Sequence, residues 1–380
     1  MIFDVAIIGG GLAGCSAALH VCVRGASVVL LERRTCGSQA SGVNYGGVRQ
    51  QGRHPAELPL ARRSRDLWAR LPALVGSDCE FMVTGHLKLA RSEAEMAGLE
   101  AASRLAGDMG LALELVPAAH IRRQFPWLGR EIAGGSLCAE DGQANPRLVA
   151  PAFARAARAA GADVREEVEV TSAIFTGTRF ELGLASGETV RANRLINTAG
   201  AWGAVVSAWF GEPVPEDVMA PNMCVTEPAP YFLTANLGVS GGSIYVRQIP
   251  RGNVIFGAGL GTADRTLGRA RPLPATTHEA AKLAIDLIPR LATVSLIRTW
   301  SGVEGCMPDS LPVLGISRTT PGLVHAFGFS GHGFQLGPAV GAVLSELALD
   351  QKTPTPLAGF EVDRFGTTAP ACVQTSATSG

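Results

Sequence analysis

Hydrophobic and polar positions switch between two periods in the first stretch of the chain. Residues 5–8 form a short apolar run, residues 12–24 follow with helical spacing, and residues 27–31 are apolar again. Gly25 ends the helical stretch, and the acid Glu32 follows the second apolar run. Strand, tight turn, helix and strand in this order predict a βαβ unit.

The remaining pattern predicts a mixture of helices, parallel strands and a separate antiparallel sheet. Between residues 213 and 299 the apolar runs become short and alternating, which indicates antiparallel strands. Helices are predicted over residues 58–71, 93–110, 146–160, 277–288 and 334–349, and strands over residues 86–90, 164–170, 194–198, 243–248, 253–256 and 323–326, with a hairpin within residues 173–190.

Chain length favours two domains, because 380 residues exceed the usual size of one hydrophobic core. We predict an α/β fold in which a Rossmann-type domain is interleaved with an α+β domain that contains a mostly antiparallel sheet. The first comprises residues 1–80, 147–212 and 300–360, and the second comprises residues 81–146 and 213–299. Residues 361–380 are rich in Ser, Thr, Ala and Pro, which predicts a disordered tail.

Composition narrows the range of partners. Acidic and basic residues balance at 33 each, so charge gives no help in binding nucleic acid or acidic membranes. The eight cysteines form no Cys-x-x-Cys pair and no cluster with histidine, which indicates reduced thiols and no metal site. No apolar run approaches the roughly 20 residues that span a bilayer, and the N-terminus lacks the features of a signal peptide. We therefore expect a cytoplasmic protein that binds small molecules.

A glycine-rich turn joins the first predicted strand to the first helix. It has the spacing Gly9-x-Gly11-x-x-Gly14, and Glu32 follows about twenty residues later. The three glycines permit the tight turn, the approach of the backbone to a pyrophosphate, and close packing of helix on strand. The helix N-terminus offers N–H groups to phosphates, and Glu32 accepts a hydrogen bond from a ribose. The unit predicts a dinucleotide site, without distinguishing FAD from NAD.

Four separated motifs resemble those of the D-amino-acid oxidase superfamily of FAD-dependent amine oxidoreductases. They are the glycine turn with Glu32; Ala40-Ser41-Gly42 leading to Gly46-Gly47-Val48-Arg49; residues 197–202; and the pair formed by residues 308–315 and 328–338. The resemblance implies non-covalent FAD in the Rossmann-type domain and a substrate in the second domain. Within the superfamily the chain looks most similar to the β-subunits of heteromeric sarcosine, opine and hydroxyproline dehydrogenases.

The resemblance also implies how the cofactor lies. Ser41 and Gly42 would follow the pyrophosphate and flavin, residues 198–200 would close over the adenosine, and residues 331–335 would face the pyrimidine end of the flavin. Negative charge collects at that end on reduction, so a helix N-terminus there raises the flavin's electron affinity. The expected cofactor-binding residues are Gly9, Gly11, Leu12, Ala13, Gly14, Glu32, Arg33, Ser41, Gly42, Gly46, Gly47, Val168, Thr198, Ala199, Gly200, Trp202, Gly331, His332, Gly333, Phe334 and Gln335.

The substrate pocket departs from the family pattern. Family members often place an arginine for the substrate carboxylate just after a Trp-x-Gly; here residues 300–302 supply Trp-Ser-Gly, and Glu304 occupies the arginine's place. One interpretation is that Glu304 binds a cationic part of the substrate. A second is that Arg49 or Arg247 binds the carboxylate while Glu304 pairs with one of these arginines. In the third, Glu304 is only a structural ion-pair partner. Tyr245 and Arg247 share one face of a predicted strand, which points either to the flavin or to solvent. The candidate catalytic residues are Arg49, Tyr245, Arg247 and Glu304.

The absence of one lysine bears on which molecule accepts the electrons from the reduced flavin. Sarcosine-oxidase-like members present a lysine over the flavin to promote reaction with oxygen, on the strand that corresponds here to residues 252–257, which contain no lysine. The resemblance therefore favours a dehydrogenase that passes electrons to a partner subunit or carrier. The position of covalent flavin attachment in that subgroup corresponds to Gly302 rather than to a cysteine.

These expectations combine into one main hypothesis about activity. The chain would oxidise the C–N bond of an amino acid or secondary amine of the sarcosine, proline or hydroxyproline, D-amino-acid or opine type, by hydride transfer to flavin, and the imine would hydrolyse. One alternative is a non-catalytic, FAD-stabilised subunit of a larger dehydrogenase. The other is an NAD-dependent dehydrogenase built on the same βαβ unit.

Overall fold

The computed structural model describes residues 1–366. Its α-helices are α1 (Leu12–Val23), α2 (Ala40–Val43), α3 (Leu58–Ala69), α4 (Leu71–Val75), α5 (Glu93–Asp108), α6 (Ala118–Gln124), α7 (Pro146–Ala159), α8 (Gly203–Ala208), α9 (Pro274–Leu287) and α10 (Gly333–Asp350). Short 3₁₀ segments are Pro55–Glu57, Gly200–Trp202, Ser240–Gly242 and Pro289–Thr293. The strands are β1 (Ile2–Ile8), β2 (Val28–Leu31), β3 (Gly47–Val48), β4 (His86–Ala90), β5 (Glu114–Pro117), β6 (Gly134–Cys138), β7 (Gly142–Gln143), β8 (Asp163–Arg165), β9 (Val170–Phe175), β10 (Phe180–Leu184), β11 (Thr189–Asn197), β12 (Asp217–Met219), β13 (Pro221–Pro228), β14 (Asn236–Val239), β15 (Tyr245–Gln248), β16 (Asn253–Leu260), β17 (Thr262–Asp264), β18 (Arg269–Arg271), β19 (Leu296–Trp300), β20 (Glu304–Cys306), β21 (Val313–Ile316) and β22 (Leu323–Phe327).

The first sheet carries the glycine turn at its centre. Its strand order is β21-β22-β11-β1-β2-β8, and β10 and β9 extend it from β11. β1 runs parallel to both β2 and β11, and α1 forms the crossover from β1 to β2. Ile8 pairs with Asn197, so the carboxyl ends of β1 and β11 lie side by side. The glycine turn therefore lies next to residues 198–200, at the edge of the sheet where ligands bind in such folds.

Both faces of the first sheet are covered, which explains why its central strands are apolar without alternation. Val5 and Ile7 face a core that includes α1, α3, α7 and α10. Ala6 and Ile8 face the opposite way, onto the antiparallel strands β9, β10 and β11. Trp68 of α3 is fully buried in the first of these cores.

The second sheet is almost entirely antiparallel. Its strand order is β19-β13-β16-β15-β14-β4-β6-β5, and only the β14–β4 pair is parallel. Helix α9 packs on it through Ala280, Ala284 and Leu287. The mixed α/β architecture with one largely parallel and one antiparallel sheet agrees with the predicted fold class. Strands of the second sheet come from residues 86–138 and 221–300, and the domain boundaries themselves stay a prediction.

The helices predicted over residues 58–71, 93–110, 146–160, 277–288 and 334–349 are confirmed as α3, α5, α7, α9 and α10, with ends that differ by a few residues. The predicted hairpin is part of the meander β9-β10-β11, and the strand predicted over residues 194–198 is the end of β11.

The strand predicted over residues 164–170 is wrong as a single element, because the chain turns between β8 and β9. Glu167 adopts a left-handed conformation, with φ of 60°. Its N–H donates to the carbonyl of Arg34, and the N–H of Val168 donates to the carbonyl of Glu32, both at 2.8 Å. These bonds replace strand pairing and bring Val168 beside the acid that follows β2.

Part of the segment predicted as a tail packs onto the first sheet. Val362 lies in a small apolar cluster with Met307, Val313 and Phe327. Arg364 forms an ion pair with Asp309 at 2.8 Å. The prediction of a disordered tail is therefore wrong for residues 361–366, because Val362 and Arg364 are held by these contacts, which composition alone does not reveal. Residues 367–380 of the same prediction lie outside the described residues. Within residues 1–366 no helix is long and apolar enough to cross a membrane.

Candidate active site

The glycine turn is closed by contacts that leave no room for side chains. Gly9 has φ of 104°, and a β-carbon at this position would lie 2.3 Å from the carbonyl oxygen of Thr198. A β-carbon at Gly14 would lie 2.0 Å from the carbonyl oxygen of Gly9. The Thr198 hydroxyl donates to the carbonyls of Ile8 (3.0 Å) and Gly9 (2.9 Å). Glycine at these two positions is therefore required by the tertiary structure as well as by the turn.

Helix α1 begins at this turn without a capping bond from the side chain of its N-cap residue. Gly11 is the N-cap, and the N–H of Leu12 donates to the Ser41 hydroxyl at 2.9 Å. The first turn continues through Ala13. At the end of β2, the Glu32 carboxylate accepts the N–H of Gly10 at 2.6 Å and that of Arg34 at 2.8 Å. The acid therefore lies against the glycine turn, where a ribose would meet it.

The expected adenosine side is bordered by residues that follow strands of the first sheet and by the separate β17–β18 hairpin. The Arg33 guanidinium lies 4.2 Å from the centre of the Trp202 ring, a cation–π distance. The Trp202 indole N–H donates to the carbonyl of Arg265, in the turn between β17 and β18. Ala199 and Gly200 follow β11, and a β-carbon at Gly200 would meet no atom within 4 Å. This open edge lies beside the glycine turn.

The loop after β2 is packed by its own glycines. A β-carbon at Gly42 would lie 2.1 Å from the carbonyl oxygen of Gly37. Gly46 has φ of 85°, and a β-carbon there would lie 2.4 Å from the carbonyl of Ala144 and 2.6 Å from Nη2 of Arg247. At Gly47 the contact would be with the Tyr45 ring, at 3.0 Å. The backbone between α2 and β3 thus passes directly over the second sheet.

The N-terminus of α10 is the second helix end at the site. Gly331 has φ of 88° and its N–H donates to Oε1 of Glu304 at 2.6 Å. His332 is the N-cap residue, makes no capping bond, and its ring Nδ1 lies 2.9 Å from both carboxylate oxygens of Glu57. Burial lowers the pKa of His332 to about 4, so the ring is neutral near pH 7. Its side chain is held by Glu57 rather than by the open end of the helix.

The first-turn side chains of α10 point into the core. Gly333 is followed by Phe334, whose ring packs 5.1 Å from the Trp68 ring. The Gln335 side chain is buried and donates to the carbonyl of Ala61 at 2.8 Å. The backbone N–H groups of this turn are therefore the groups that can meet a cofactor, in agreement with the flavin contact that the family resemblance implies for residues 331–335.

Helices α1 and α10 run side by side in the same direction. Gly337 packs against Leu12, and Gly341, four residues further on, packs against Ser16, four residues after Leu12. Their N-termini therefore lie together at the carboxyl edge of the first sheet. The N-cap of α1, Gly11, has no side chain, the N-cap of α10, His332, makes no capping bond, and the bond from Leu12 to Ser41 leaves later N–H groups of the α1 turn free among the described residues. Two helix N-termini with free N–H groups suit an anionic dinucleotide and the electron-rich end of a flavin. The residues present thus fit FAD.

A group of aromatic and cationic side chains joins the second sheet to the loop. The rings of Tyr45 and Tyr245 meet edge to face, with centroids 4.7 Å apart. The guanidinium of Arg247 lies 5.3 Å from the Tyr45 ring, and its Nη1 donates to Oε1 of Gln143 (3.0 Å) and to the carbonyl of Ala144 (3.3 Å). The shared face of Tyr245 and Arg247 therefore points inward, to the loop, and not to solvent.

Several buried polar atoms of this group have no hydrogen-bond partner. Among the described residues these are the Tyr45 hydroxyl and Nε of Arg247, and Nη1 of Arg53, in the loop after β3, is a third such atom nearby. Burial lowers the pKa of Arg247 to about 10 and that of Arg53 to about 9, which leaves both charged at neutral pH. Buried polar atoms are normally bonded, so these atoms indicate a place for a polar ligand.

Glu304 begins β20 and is half-buried next to this group. Burial raises the pKa of its carboxyl to about 7, against the opposing effect of the hydrogen bond from Gly331. Burial and then Glu304 raise the pKa of Tyr245, so the two side chains are electrostatic neighbours. Among residues 1–366, Glu304 forms no ion pair with Arg49 or Arg247. Within these residues the structure therefore offers no partner for the two interpretations that made Glu304 an ion-pair partner, and its role stays a prediction.

Sequence patterns did not single out Tyr45, Arg53 and Lys88, which the structure brings beside the predicted Arg49. Arg49 is half-buried, and its Nη1 donates to the carbonyl of Gln51. A signal was present: Tyr45 adjoins the glycine pair, Arg53 follows Arg49 by one helical turn's spacing, and Lys88 is one of only three lysines. The sequence could not show that β4 pairs with β14 in the second sheet and so brings Lys88 beside Gly52 of this loop.

Comparison with known families supports the same cofactor. A family model described as DAO, FAD dependent oxidoreductase, matches residues 4–347. Glycine oxidase of Geobacillus kaustophilus is 28% identical over 373 residues, which cover 95% of this chain and 97% of that protein. Sarcosine oxidase subunit beta of Rhizobium meliloti is 27% identical over 379 residues, with coverage of 96% and 88%.

A solved structure agrees with these relatives over nearly the whole chain. The crystal structure of L-proline dehydrogenase from P. horikoshii matches with a TM-score of 0.88 and 26% identity, covering 96% of this chain and 98% of that one. The matched family model, the coverage of both relatives and the site that fits FAD lead to one conclusion. This chain belongs to the DAO family of FAD-dependent oxidoreductases.

Proposed function

We propose that the chain oxidises the carbon–nitrogen bond of an amino acid or secondary amine that carries a carboxylate, and that its electrons pass to an acceptor other than oxygen. When bound, FAD supplies the hydride acceptor, and the imine product hydrolyses in water. The observation that carries the proposal is that Arg53 and Arg247, both buried beside the cofactor loop, form no ion pair with a carboxylate among residues 1–366. Since the family uses FAD, the NAD-dependent alternative is wrong.

Arg247 is the first candidate for the substrate carboxylate. It is 4% exposed, carries a positive charge, and binds only neutral oxygens of Gln143 and Ala144. A buried charge without a counter-charge is costly, and a substrate carboxylate would offset that cost through charge-assisted hydrogen bonds. The unpartnered Nε of Arg247 and hydroxyl of Tyr45 would supply further donors to the same anion. Tyr245, packed on Tyr45, would form the wall beside it.

Glu304 is suited to the amine end of the substrate. Amino acids enter as ammonium ions, and the nitrogen must be neutral before hydride leaves the adjacent carbon. A carboxyl with a pKa of about 7 can act as the base near neutral pH, because a general base works best when its pKa lies close to the operating pH. Its position at the N-terminus of α10 also puts it at the expected pyrimidine end of the flavin.

The choice of a dehydrogenase rests on the absence of a lysine in residues 252–257, which form the start of β16. The position over the Tyr245 ring is taken by Gly257, where a β-carbon would lie 2.4 Å from the tyrosine hydroxyl. We propose a partner subunit or a soluble carrier as the acceptor, in keeping with the relative named sarcosine oxidase subunit beta. FAD is proposed to be non-covalent, since residue 302 is glycine.

An anaerobic visible spectrum of the holoprotein tests the proposal. We expect the flavin bands to bleach with at least one compound from a panel of α-amino acids, N-methyl amino acids, prolines and opines, and not with the amine that lacks its carboxylate. On admitting air, colour should return slowly, and an artificial electron acceptor should restore it quickly. Fast recolouring in air would refute the dehydrogenase assignment. Bands that no compound bleaches would favour the non-catalytic subunit.

A further inference from the structure

A small cavity lies between the loop after β3, strand β4 and helix α5. Its volume is about 70 Å³, and one wall is polar, formed by Arg53, Lys88 and Gln51. The other wall is apolar and includes Leu99 and Ala106 of α5. A cavity of this size holds a few water molecules or one carboxylate group. Its two walls suit an anionic group on a short aliphatic stem.

Gly52 connects this cavity to Arg49. A β-carbon at Gly52 would lie 3.1 Å from Nη1 of Arg49 and 3.7 Å from Nζ of Lys88. Gly52 also has φ of 72°, so the absence of a side chain serves both the turn and the space between the two cations. Three positive side chains, Arg49, Arg53 and Lys88, thus border one small region.

The two carboxylates near these cations, Asp141 and Glu57, make their hydrogen bonds to other groups. Asp141 accepts the N–H of Gln50 at 2.7 Å and that of Gln51 at 3.1 Å. Glu57 binds the ring of His332. Among the residues that the structure describes, no ion pair includes Arg49, Arg53 or Lys88.

The group therefore holds an excess of positive charge. Nη1 of Arg53 is buried without any hydrogen-bond partner, and Arg53 as a whole is 8% exposed. Burial, followed by Arg49, lowers the pKa of Lys88, as expected where cations crowd together. Asp141 and Glu57 act electrostatically on Arg49 and Arg53, so three cations face two carboxylates, and one further anion would balance the remaining positive charge.

This cavity lies next to the reacting end of the site rather than on a remote surface. Arg53 and Arg49 both contribute to lowering the pKa of His332, the N-cap residue of α10, after the larger effect of burial. Arg49 also acts on the titration of Tyr45, whose ring contacts Arg247. The loop itself gives the geometric link: a β-carbon at Gly46 would lie 2.6 Å from Nη2 of Arg247, and six residues later Gly52 lies between Arg49 and Lys88 at the cavity.

We propose that Arg53 and Lys88 form a second anion subsite and that the substrate is a secondary amine with two carboxylates. One carboxylate binds at Arg247, the nitrogen faces Glu304, and the other carboxylate reaches past Arg49 to the cavity. This inference rests on the proposed function, to which it adds the class of substrate. It selects the opine type from the substrates that the sequence left open.

Calorimetric binding of redox-inert ethers to the holoenzyme tests the subsite without turnover. Diglycolate has two carboxylates joined through an ether oxygen in place of nitrogen, and methoxyacetate has one. We expect diglycolate to bind at least tenfold more tightly than methoxyacetate. Equal affinities on the unmodified holoenzyme would overturn the inference, and this comparison does not depend on any variant folding correctly.

A pair of lysine variants assigns the preference to the cavity. Lys88→Met keeps the length of the side chain and removes its charge, and Lys282→Met does the same on the exposed surface of α9. We expect Lys88→Met to lose most of the preference for diglycolate and Lys282→Met to keep it. Arg53→Gln should reproduce the loss. Full preference in both Lys88→Met and Arg53→Gln would refute the subsite.

Reduction of the flavin then separates this inference from the proposed function. Iminodiacetate should bleach the flavin with a rate-to-affinity ratio at least tenfold above that of N-ethylglycine, which lacks the second carboxylate. Bleaching by carboxylated amines without any preference for two carboxylates would refute the subsite alone. A preference for diglycolate in a holoenzyme that no amine bleaches would refute the oxidation reaction while leaving the anion subsite in place.

Discussion

Replacing Glu304 with glutamine tests the carboxyl at the N-terminus of α10. Glutamine keeps the size of the side chain, and its amide oxygen can still accept the N–H of Gly331, but it cannot take up the ammonium proton. With a pKa of about 7, the ionised fraction of Glu304 rises from roughly 9% at pH 6 to roughly 91% at pH 8. The second-order rate constant of flavin reduction reports the pKa of the free enzyme, so it should rise about tenfold over this range in the unmodified enzyme.

Anaerobic stopped-flow absorbance at substrate concentrations well below saturation measures this rate constant, from the slope of the observed rate against concentration. In Glu304→Gln the rate should be at least tenfold lower at pH 8 and nearly independent of pH between 6 and 8. The ratio of flavin to protein absorbance should stay unchanged, because Glu304 contributes only one backbone contact to the helix end.

Glu216 provides the matched control, because burial raises the pKa of this carboxyl also, to about 8. It lies behind β20, where a β-carbon at Gly305 would lie 2.2 Å from its Oε1. Glu216→Gln should keep the rise in rate with pH. If the rise in rate with pH persisted in Glu304→Gln and disappeared in Glu216→Gln, the reasoning would be refuted. The base would then be Glu216, on the other side of β20.

Three further predictions address the cofactor, the core and the substrate carboxylate. Gly14→Val should yield protein without flavin absorbance, because its β-carbon would lie 2.0 Å from the Gly9 carbonyl; a yellow protein would contradict this. Trp68→Ala should lower the free energy of unfolding in urea by about 3–5 kcal/mol, as for a fully buried aromatic residue, and a change under about 1 kcal/mol would contradict the packing. Arg247→Met should keep FAD yet weaken binding of carboxylated amines roughly 10- to 100-fold in titrations of the flavin spectrum, with amines that lack a carboxylate unaffected.

Much of the cofactor site could be predicted from the sequence, because its signals are local. The glycine turn, helix α1, strand β2 and Glu32 follow each other within about thirty residues, so spacing alone defines their arrangement. The long helices α5, α7 and α10 were equally readable from their periodicity. The strand break at Glu167 was not, because it depends on hydrogen bonds to Glu32 and Arg34 across the fold.

Only the tertiary structure decided which polar residues meet at the substrate side. Tyr45 and Arg247 are 202 positions apart in the sequence, and they meet because β15 lies against the loop after β2, where Tyr245 also packs on Tyr45. Hydrophobic alternation shows that a residue is on a strand and which face it shares, but it carries no information about the neighbouring strand. The sequence by itself therefore determined the family, the cofactor and the main helices. The packing of two sheets determined that Tyr245 and Arg247 point inward and that Glu304 has no ion pair among residues 1–366.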